Sequence, residues 1–135
     1  MIETSRLSAF RLFAGLSDDD LAAIAGAATE VEVAEGETIA TEGDFGHTLY
    51  AIESGTAKVA TTDKPDLDAL GPGQVFGEVA ILSSGRRTAS VVATSPMRLI
   101  GFFKRDVWAL EQRAPEAAER LRTLVAERSA ALEAD

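Results

Sequence analysis

The sequence predicts a mainly β domain, an antiparallel roll or sandwich of short strands with helices at both ends. Strand-sized apolar pieces recur between Val31 and Phe103, each bounded by Gly, Pro, Asp or Ser turn residues. Long helical patterns do not alternate with them, as they would in an α/β sheet. Toward both ends of the chain, apolar residues recur at three- and four-residue spacing instead.

Leu7, Phe10 and Leu12-Phe13 form an apolar lead-in that a short helix can carry, closed by Gly15. Ser17 then reads as an N-cap, with Asp18, Asp19 and Asp20 in the favourable first turn and Leu21, Ile24 and Ala28 at helical spacing. Val31-Glu32-Val33-Ala34 switches to a period of two and reads as a strand. Thr38-Ile39-Ala40-Thr41 lies between Glu35-Gly36 and Gly43-Asp44, and Leu49-Tyr50-Ala51-Ile52 precedes Ser54-Gly55. Ala57-Lys58-Val59-Ala60-Thr61 follows, then Leu67-Asp68-Ala69-Leu70 between Lys64-Pro65 and Gly71-Pro72-Gly73. Residues 76–82 interrupt the strands with what reads as one helical turn, before residues 87–93 and 97–103 restore them. Val107, Trp108 and Leu110 read as a helix, with Trp108 expected to pack, and Pro115 fits the first position of the next one. In that last helix Leu121, Leu124, Val125 and Leu132 form an apolar stripe opposite Glu116, Glu119, Arg120, Arg122 and Glu127.

The 135 residues suffice for one domain with a sizeable core. No run approaches the roughly 18 apolar residues of a membrane-spanning helix, and the first residues lack the basic flank and apolar run of a secretory signal. Without cysteine there is no disulfide framework and no thiolate chemistry, which fits a cytoplasmic setting. A formal charge of −9, from 22 acidic and 13 basic side chains, repels a nucleic-acid backbone. Beyond the pair Arg86-Arg87 the basic residues are scattered, so the chain alone is not expected to bind DNA or RNA.

The densest chemistry lies between Gly73 and Val91. A glycine precedes a short helical turn, whose free backbone N–H groups can face an anion. Glu78 sits inside the turn, and Arg86-Arg87 opens the next strand. Free amides with a guanidinium fork make a phosphate cradle. A carboxylate is a poor phosphate partner but a good acceptor for a sugar hydroxyl. One reading is therefore a ligand with one phosphate and an adjacent ribose. The other is a plain turn at Gly77 with Glu78 and Arg87 paired on the surface, and the local pattern leaves both open.

The run Phe76-Gly77-Glu78-Val79-Ala80-Ile81-Leu82, followed after a short gap by Arg87-Thr88-Ala89-Ser90-Val91, resembles the phosphate-binding cassette of the cyclic-nucleotide-binding domain family. That family includes regulatory modules of cyclic-nucleotide-dependent kinases, sensor halves of catabolite-activator-type transcription factors and cytoplasmic modules of cyclic-nucleotide-gated channels. Leu12-Phe13-Ala14-Gly15-Leu16-Ser17, Gly36-Glu37-Thr38-Ile39, Glu42-Gly43-Asp44, residues 49–55 and Gly71-Pro72-Gly73 extend the resemblance over roughly residues 10 to 125. It implies an eight-stranded, jelly-roll-like β-roll with an inserted phosphate-binding helical turn. The implied single domain has a helical lead-in at 5–28, the roll at 30–103 and C-terminal helices at 104–133.

By the same resemblance, Arg87 takes the equatorial oxygens of the cyclic phosphate and Glu78 the ribose 2′-hydroxyl. Gly77 and Ala80 sit where backbone amides assist, Val79 lies between them in the contact run, and Thr88 sits beside phosphate and purine. A hydroxyl at Thr88 permits cyclic GMP without excluding cyclic AMP. Where the family commonly has proline before its arginine, this chain has Arg86, expected to point to solvent. The last helix resembles the family's lid, with Leu121, Leu124 and Val125 as candidates to cover the base. Permanent packing on the roll is the competing reading for that helix.

The expected function is a regulatory module that binds cAMP or cGMP and transmits helix movement to a channel, transporter or other output, fused or separate. A β-roll interaction domain that has lost the ligand is the alternative, against which the presence of both Glu78 and Arg87 counts. No enzymatic activity, cofactor or metal is expected. His47 is the sole histidine and has no second residue for a metal or a nucleophile. Asp18, Asp19 and Asp20 lack the alternating spacing of a calcium loop.

Overall fold

The computed structural model describes residues 2–44, 46–65, 67–77, 87, 89–109, 112, 114–116, 118–120 and 122–123. A short helix α1 (Thr4–Ser8) leads into a 3-10 turn (Arg11–Phe13) and helix α2 (Asp18–Ala27). Ser17 caps α2 as the sequence suggests, its Oγ accepting a hydrogen bond from the Asp20 amide at 3.2 Å. Leu21, Ile24 and Ala25 are the buried side of α2, while Ala28 already has extended backbone and turns the chain into the first strand.

Eight described strands follow: β1 (Thr29–Val33), β2 (Thr38–Ala40), β3 (Thr48–Ser54), β4 (Ala57–Ala60), β5 (Asp68–Leu70), β6 (Val75–Phe76), β7 (Ser90–Ala93) and β8 (Met97–Phe103). They form two four-stranded antiparallel sheets, in the orders β1-β8-β3-β6 and β2-β7-β4-β5. The expected mainly β, eight-stranded antiparallel roll is what the chain adopts. Helix α3 (Lys104–Trp108) leaves β8 directly, and residues 115–116, 118–120 and 122–123 are helical, starting at Pro115.

The first sheet is buried on both faces, which explains why β8 reads Met-Arg-Leu-Ile-Gly-Phe-Phe rather than as a clean alternation. Its Met97 and Leu99 join Val33, Ile52, Phe76, Val91 and Ala93 in a core between the sheets. Ile100 and Phe102 point the other way, into a second core with Leu7, Phe13, Leu21, Ile24, Leu49 and Val107 from the helical side. The second sheet has water on its outer face, so β4 alternates visibly, with Ala57 buried and Lys58 exposed.

The structure corrects the sequence reading at three places. Phe76 belongs to a short strand, pairing opposite Tyr50, and not to a helical turn. It buries toward the roll while Val75 buries toward the helices, the period of two that a strand requires. Strand β7 starts at Ser90, later than Arg87. Trp108 is exposed at 52%, since Val107 takes the buried position of α3 and its neighbour rotates off that face. Phe103 is equally exposed, and the cations of Lys104 and Arg105 lie over the Trp108 and Phe103 rings at 5.4 and 5.9 Å.

Among the described residues one arginine ties helical segments to each other and another ties a helix to the roll. Arg120 donates from Nη1 to the carbonyls of Arg11, Leu12 and Ala14 at 2.9, 3.1 and 2.7 Å, joining the last helical segment to the 3-10 turn. Arg6 on α1 grips Glu53 of β3 with both Nε and Nη2, at 2.9 and 2.5 Å, and reaches Glu30 of β1. Hydrogen bonding from Arg6 holds the Glu53 carboxyl below its ordinary range, against the opposing effect of burial, with the charges of Arg6 and Arg98 adding to the depression. A carboxylate depressed in the folded state stabilises the fold above its unfolded pKa of about 4.3, and that contribution fades as pH falls through the folded value. Glu53→Gln is therefore expected to lower unfolding free energy at pH 7 by about 1–3 kcal/mol. The gap from wild type should narrow below about pH 4.3. Urea unfolding of both proteins from pH 7 to pH 3 checks this, and an undiminished gap at pH 3 would contradict it.

Candidate ligand site

The candidate site is organised around Arg87, which lies ahead of β7 and is half-buried. Its backbone is stitched to the turn after β2. The Arg87 amide donates to the Asp44 carbonyl at 2.6 Å, and the Gly43 amide donates to the Arg87 carbonyl at 2.9 Å. One step further along, the Glu42 amide donates to Ser90 Oγ at 2.9 Å. These bonds prolong the β2–β7 ladder past a register shift between Thr38 and Ala40. Glu42 is fixed in turn, its Oε1 accepting from the Thr62 amide at 2.7 Å and the Thr62 hydroxyl at 3.2 Å.

The guanidinium crosses from the second sheet to the first. Nη2 donates to the Thr48 carbonyl at the start of β3, at 3.0 Å, and Nη1 makes a longer 3.4 Å contact to the Gly77 carbonyl just after β6. Its carbon lies 5.9 Å from the centre of the Tyr50 ring. These two carbonyls and the ring face orient the guanidinium. The cation thus keeps the fork geometry that suits a phosphate.

Gly77 is required at this point for two reasons. Its φ of +94° lies in the left-handed region. A Cβ there would stand 2.8 Å from the Thr48 carbonyl oxygen and press on Arg87 Nη1. The missing side chain is what lets the guanidinium lie against the end of β6.

Of the residues that the sequence marks as ligand contacts, the structure thus brings together Gly77 and Arg87. Glu78, Val79, Ala80 and Thr88 lie outside the described residues, as do Arg86, the inserted helical turn and the lid candidates Leu121, Leu124 and Val125. The described start of the last helix belongs to the helix-side core, where Ala114 and Ala118 are buried. The partners of Arg87 were missed at the level of sequence. Two of them are backbone carbonyls, which carry no residue signature, while Gly43-Asp44 was legible only as a turn.

Among the described residues no group of three or more His, Asp or Glu side chains could hold a metal, and no helix is long and apolar enough to cross a membrane. A cavity of about 130 Å³ lies between α2, α3 and the first sheet, lined by Phe13, Ile24, Leu49, Phe102 and Val107. These residues belong to the helix-side core, the opposite face of the sheet from Tyr50 and Phe76.

Comparison with known proteins places this geometry in context. A cyclic AMP receptor protein of Thermus thermophilus is 38% identical over 98 residues, 70% of this chain and 45% of that protein. A cyclic nucleotide-gated potassium channel of Rhizobium etli is 34% identical over 122 residues, 90% of this chain and 34% of the channel. The chain therefore spans less than half the length of either relative. The crystal structure of the Thermus thermophilus catabolite activator protein superposes with a TM-score of 0.77 at 34% identity, over 92% of this chain and 61% of that one. Residues 30–114 match the family described as cyclic nucleotide-binding domain, to which this chain belongs.

Proposed function

We propose that this chain binds a 3′,5′-cyclic nucleotide, cyclic AMP or cyclic GMP, with Arg87 on the phosphate. The observation that carries the reading is the guanidinium held across the Thr48 and Gly77 carbonyls, with its backbone stitched to the turn at Gly43-Asp44. Glu78 takes the ribose 2′-hydroxyl, backbone amides at Gly77 and Ala80 with Val79 between them complete the cradle, and Thr88 stands beside phosphate and purine. The binding unit is one domain, with its helical lead-in at 5–28, roll at 30–103 and C-terminal helices at 104–133.

Binding is regulatory, not catalytic, and uses no cofactor. Leu121, Leu124 and Val125 close over the base, and helix movement passes to an output elsewhere in a longer protein or in a separate partner. A channel, a transporter or another effector each fits that role, in the cytoplasm or on the cytosolic side of a membrane protein. Names among the relatives, a cyclic AMP receptor and a cyclic nucleotide-gated channel, support the ligand class and the regulatory use. The acidic charge of −9 argues against DNA as a partner of this chain alone.

Calorimetric titration with cyclic AMP and cyclic GMP is the direct test. Saturable binding of at least one is expected, with a rise in melting temperature at saturation. If the lid assignment holds, that rise is smaller in Leu121→Ala, Leu124→Ala or Val125→Ala, because a contact made only in the complex is lost. No binding of either nucleotide up to about 1 mM, an affinity worth roughly 4 kcal/mol, would leave the interaction-domain alternative standing.

A further inference from the structure

We propose that Tyr50 is a positioning residue for the ligand's phosphate, acting through the face of its ring on the Arg87 guanidinium. The inference rests on the reading of Arg87 as the phosphate anchor. It adds a residue in the middle of a strand, which makes no phosphate contact of its own.

Tyr50 points to the roll side of β3, where it packs against the core between the sheets. Its ring stacks on Phe76 of the neighbouring strand, with centroids 5.1 Å apart and planes inclined by 27°. On its other flank the register partner in β8 is Gly101, which has no side chain to occupy the space over the sheet. A Cβ on Gly101 would come within 3.7 Å of Tyr50 Cε1 and 3.2 Å of Thr48 Cγ2. The ring is thus set by Phe76 on one side and by the gap at Gly101 on the other. The guanidinium carbon lies 5.9 Å from its centre, within the range of a cation–π contact.

The consequence for binding is electrostatic pre-organisation. Two carbonyls hold the guanidinium at its edge, and they favour one plane for the fork. The negative face of an aromatic ring adds attraction from above the guanidinium plane without itself taking up an N–H of the fork. An aliphatic side chain of similar bulk fills the same volume and supplies none of that field. Arg87 then samples more rotamers before binding, and ordering it at the moment of binding weakens affinity.

The test measures affinity of the full chain for cyclic AMP, or for cyclic GMP if that is the nucleotide bound. Tyr50→Phe keeps the ring and is expected to bind like wild type. Tyr50→Leu is expected to bind about 3- to 30-fold more weakly. In an Arg87→Ala background the same Tyr50→Leu change should cost less than about twofold, since the coupled partner is gone. Replacing Tyr50 by phenylalanines of increasing ring fluorination drains the negative face at nearly constant shape, so affinity should fall stepwise with fluorine number. This series also covers the case in which Tyr50→Leu does not fold. Unchanged affinity across the fluorinated series overturns the proposal, as does an equal loss from Tyr50→Leu with and without Arg87. Wild type that binds no cyclic nucleotide overturns instead the functional reading on which it rests.

Discussion

Arg87→Ala is expected to weaken cyclic-nucleotide binding by roughly 30- to 1000-fold, whereas Arg86→Ala should change it little. The magnitude follows from chemistry: an ionic, forked hydrogen bond is worth about 2–4 kcal/mol when its partner is left without it in a half-enclosed site. The asymmetry follows from how Arg87 is held. Its amide and carbonyl are bonded to Asp44 and Gly43, and its side chain is aimed across the roll by the Thr48 and Gly77 carbonyls. Truncation to alanine keeps the backbone stitches and removes only the fork. The variant should therefore fold, with some stability lost from the two carbonyl bonds, and calorimetric titration should report an affinity loss well beyond that of Arg86→Ala. Comparable small losses for Arg86→Ala and Arg87→Ala would remove Arg87 as anchor.

Gly77→Ala should be the next most damaging change at the site, with a built-in control at Gly73. Both glycines have left-handed backbone, with φ of +94° and +91°. An alanine at either position is strained by about 1–2 kcal/mol. Only at Gly77 is the added methyl also obstructed, by the Thr48 carbonyl oxygen at 2.8 Å and by Arg87 Nη1, while nothing lies within 4 Å of a Cβ at Gly73. The Thr48 oxygen belongs to β3 and is held by the sheet, so the guanidinium is the group that gives way. Gly77→Ala should consequently lose about tenfold or more in affinity beyond its loss of stability, a further ~1.4 kcal/mol. Gly73→Ala should lose stability alone. Thermal unfolding and titration of the two variants side by side decide the matter, and matching affinities would show that the methyl does not reach the anchor.

The elements that the sequence makes legible are those whose signals are local. The Ser17 cap with its three aspartates marks the start of α2, and the bounds of β8 at 97–103 coincide with its apolar run. Glycine punctuation gave an antiparallel roll, since turn residues declare themselves within a few positions. Strand β6 escaped because two residues make too short a pattern to have a period. Trp108 was misplaced because size and apolarity favour burial, whereas the phase of α3 around Val107 gives the inside position to a smaller neighbour. Contacts between distant segments left no trace at all. Arg6 with Glu53, Arg120 with the 3-10 turn, and the ring of Tyr50 under Arg87 each join residues that have no local reason to be read together. At the site, Gly77 and Arg87 were legible through the cassette they resemble, while the backbone oxygens that hold Arg87 were not.

The position of β8 has a consequence for how the molecule comes into being. The last strand of the roll to leave the ribosome is an inner strand of its sheet, paired with β1 on one side and β3 on the other. Until residues 97–103 are available, β1 and β3 have no shared partner and both cores lack their common wall. A nascent chain that has not yet reached Met97 thus displays two open strand edges and the apolar faces of Leu49, Ala51 and Ile52, the features that invite pairing with other chains. Closure must wait for pairings of long sequence separation, which are slow because loop entropy is lost before contacts are gained. Synthesis of β8 is accordingly the step that completes the first sheet and supplies the wall shared by the two cores, so a fragment ending before Met97 lacks both.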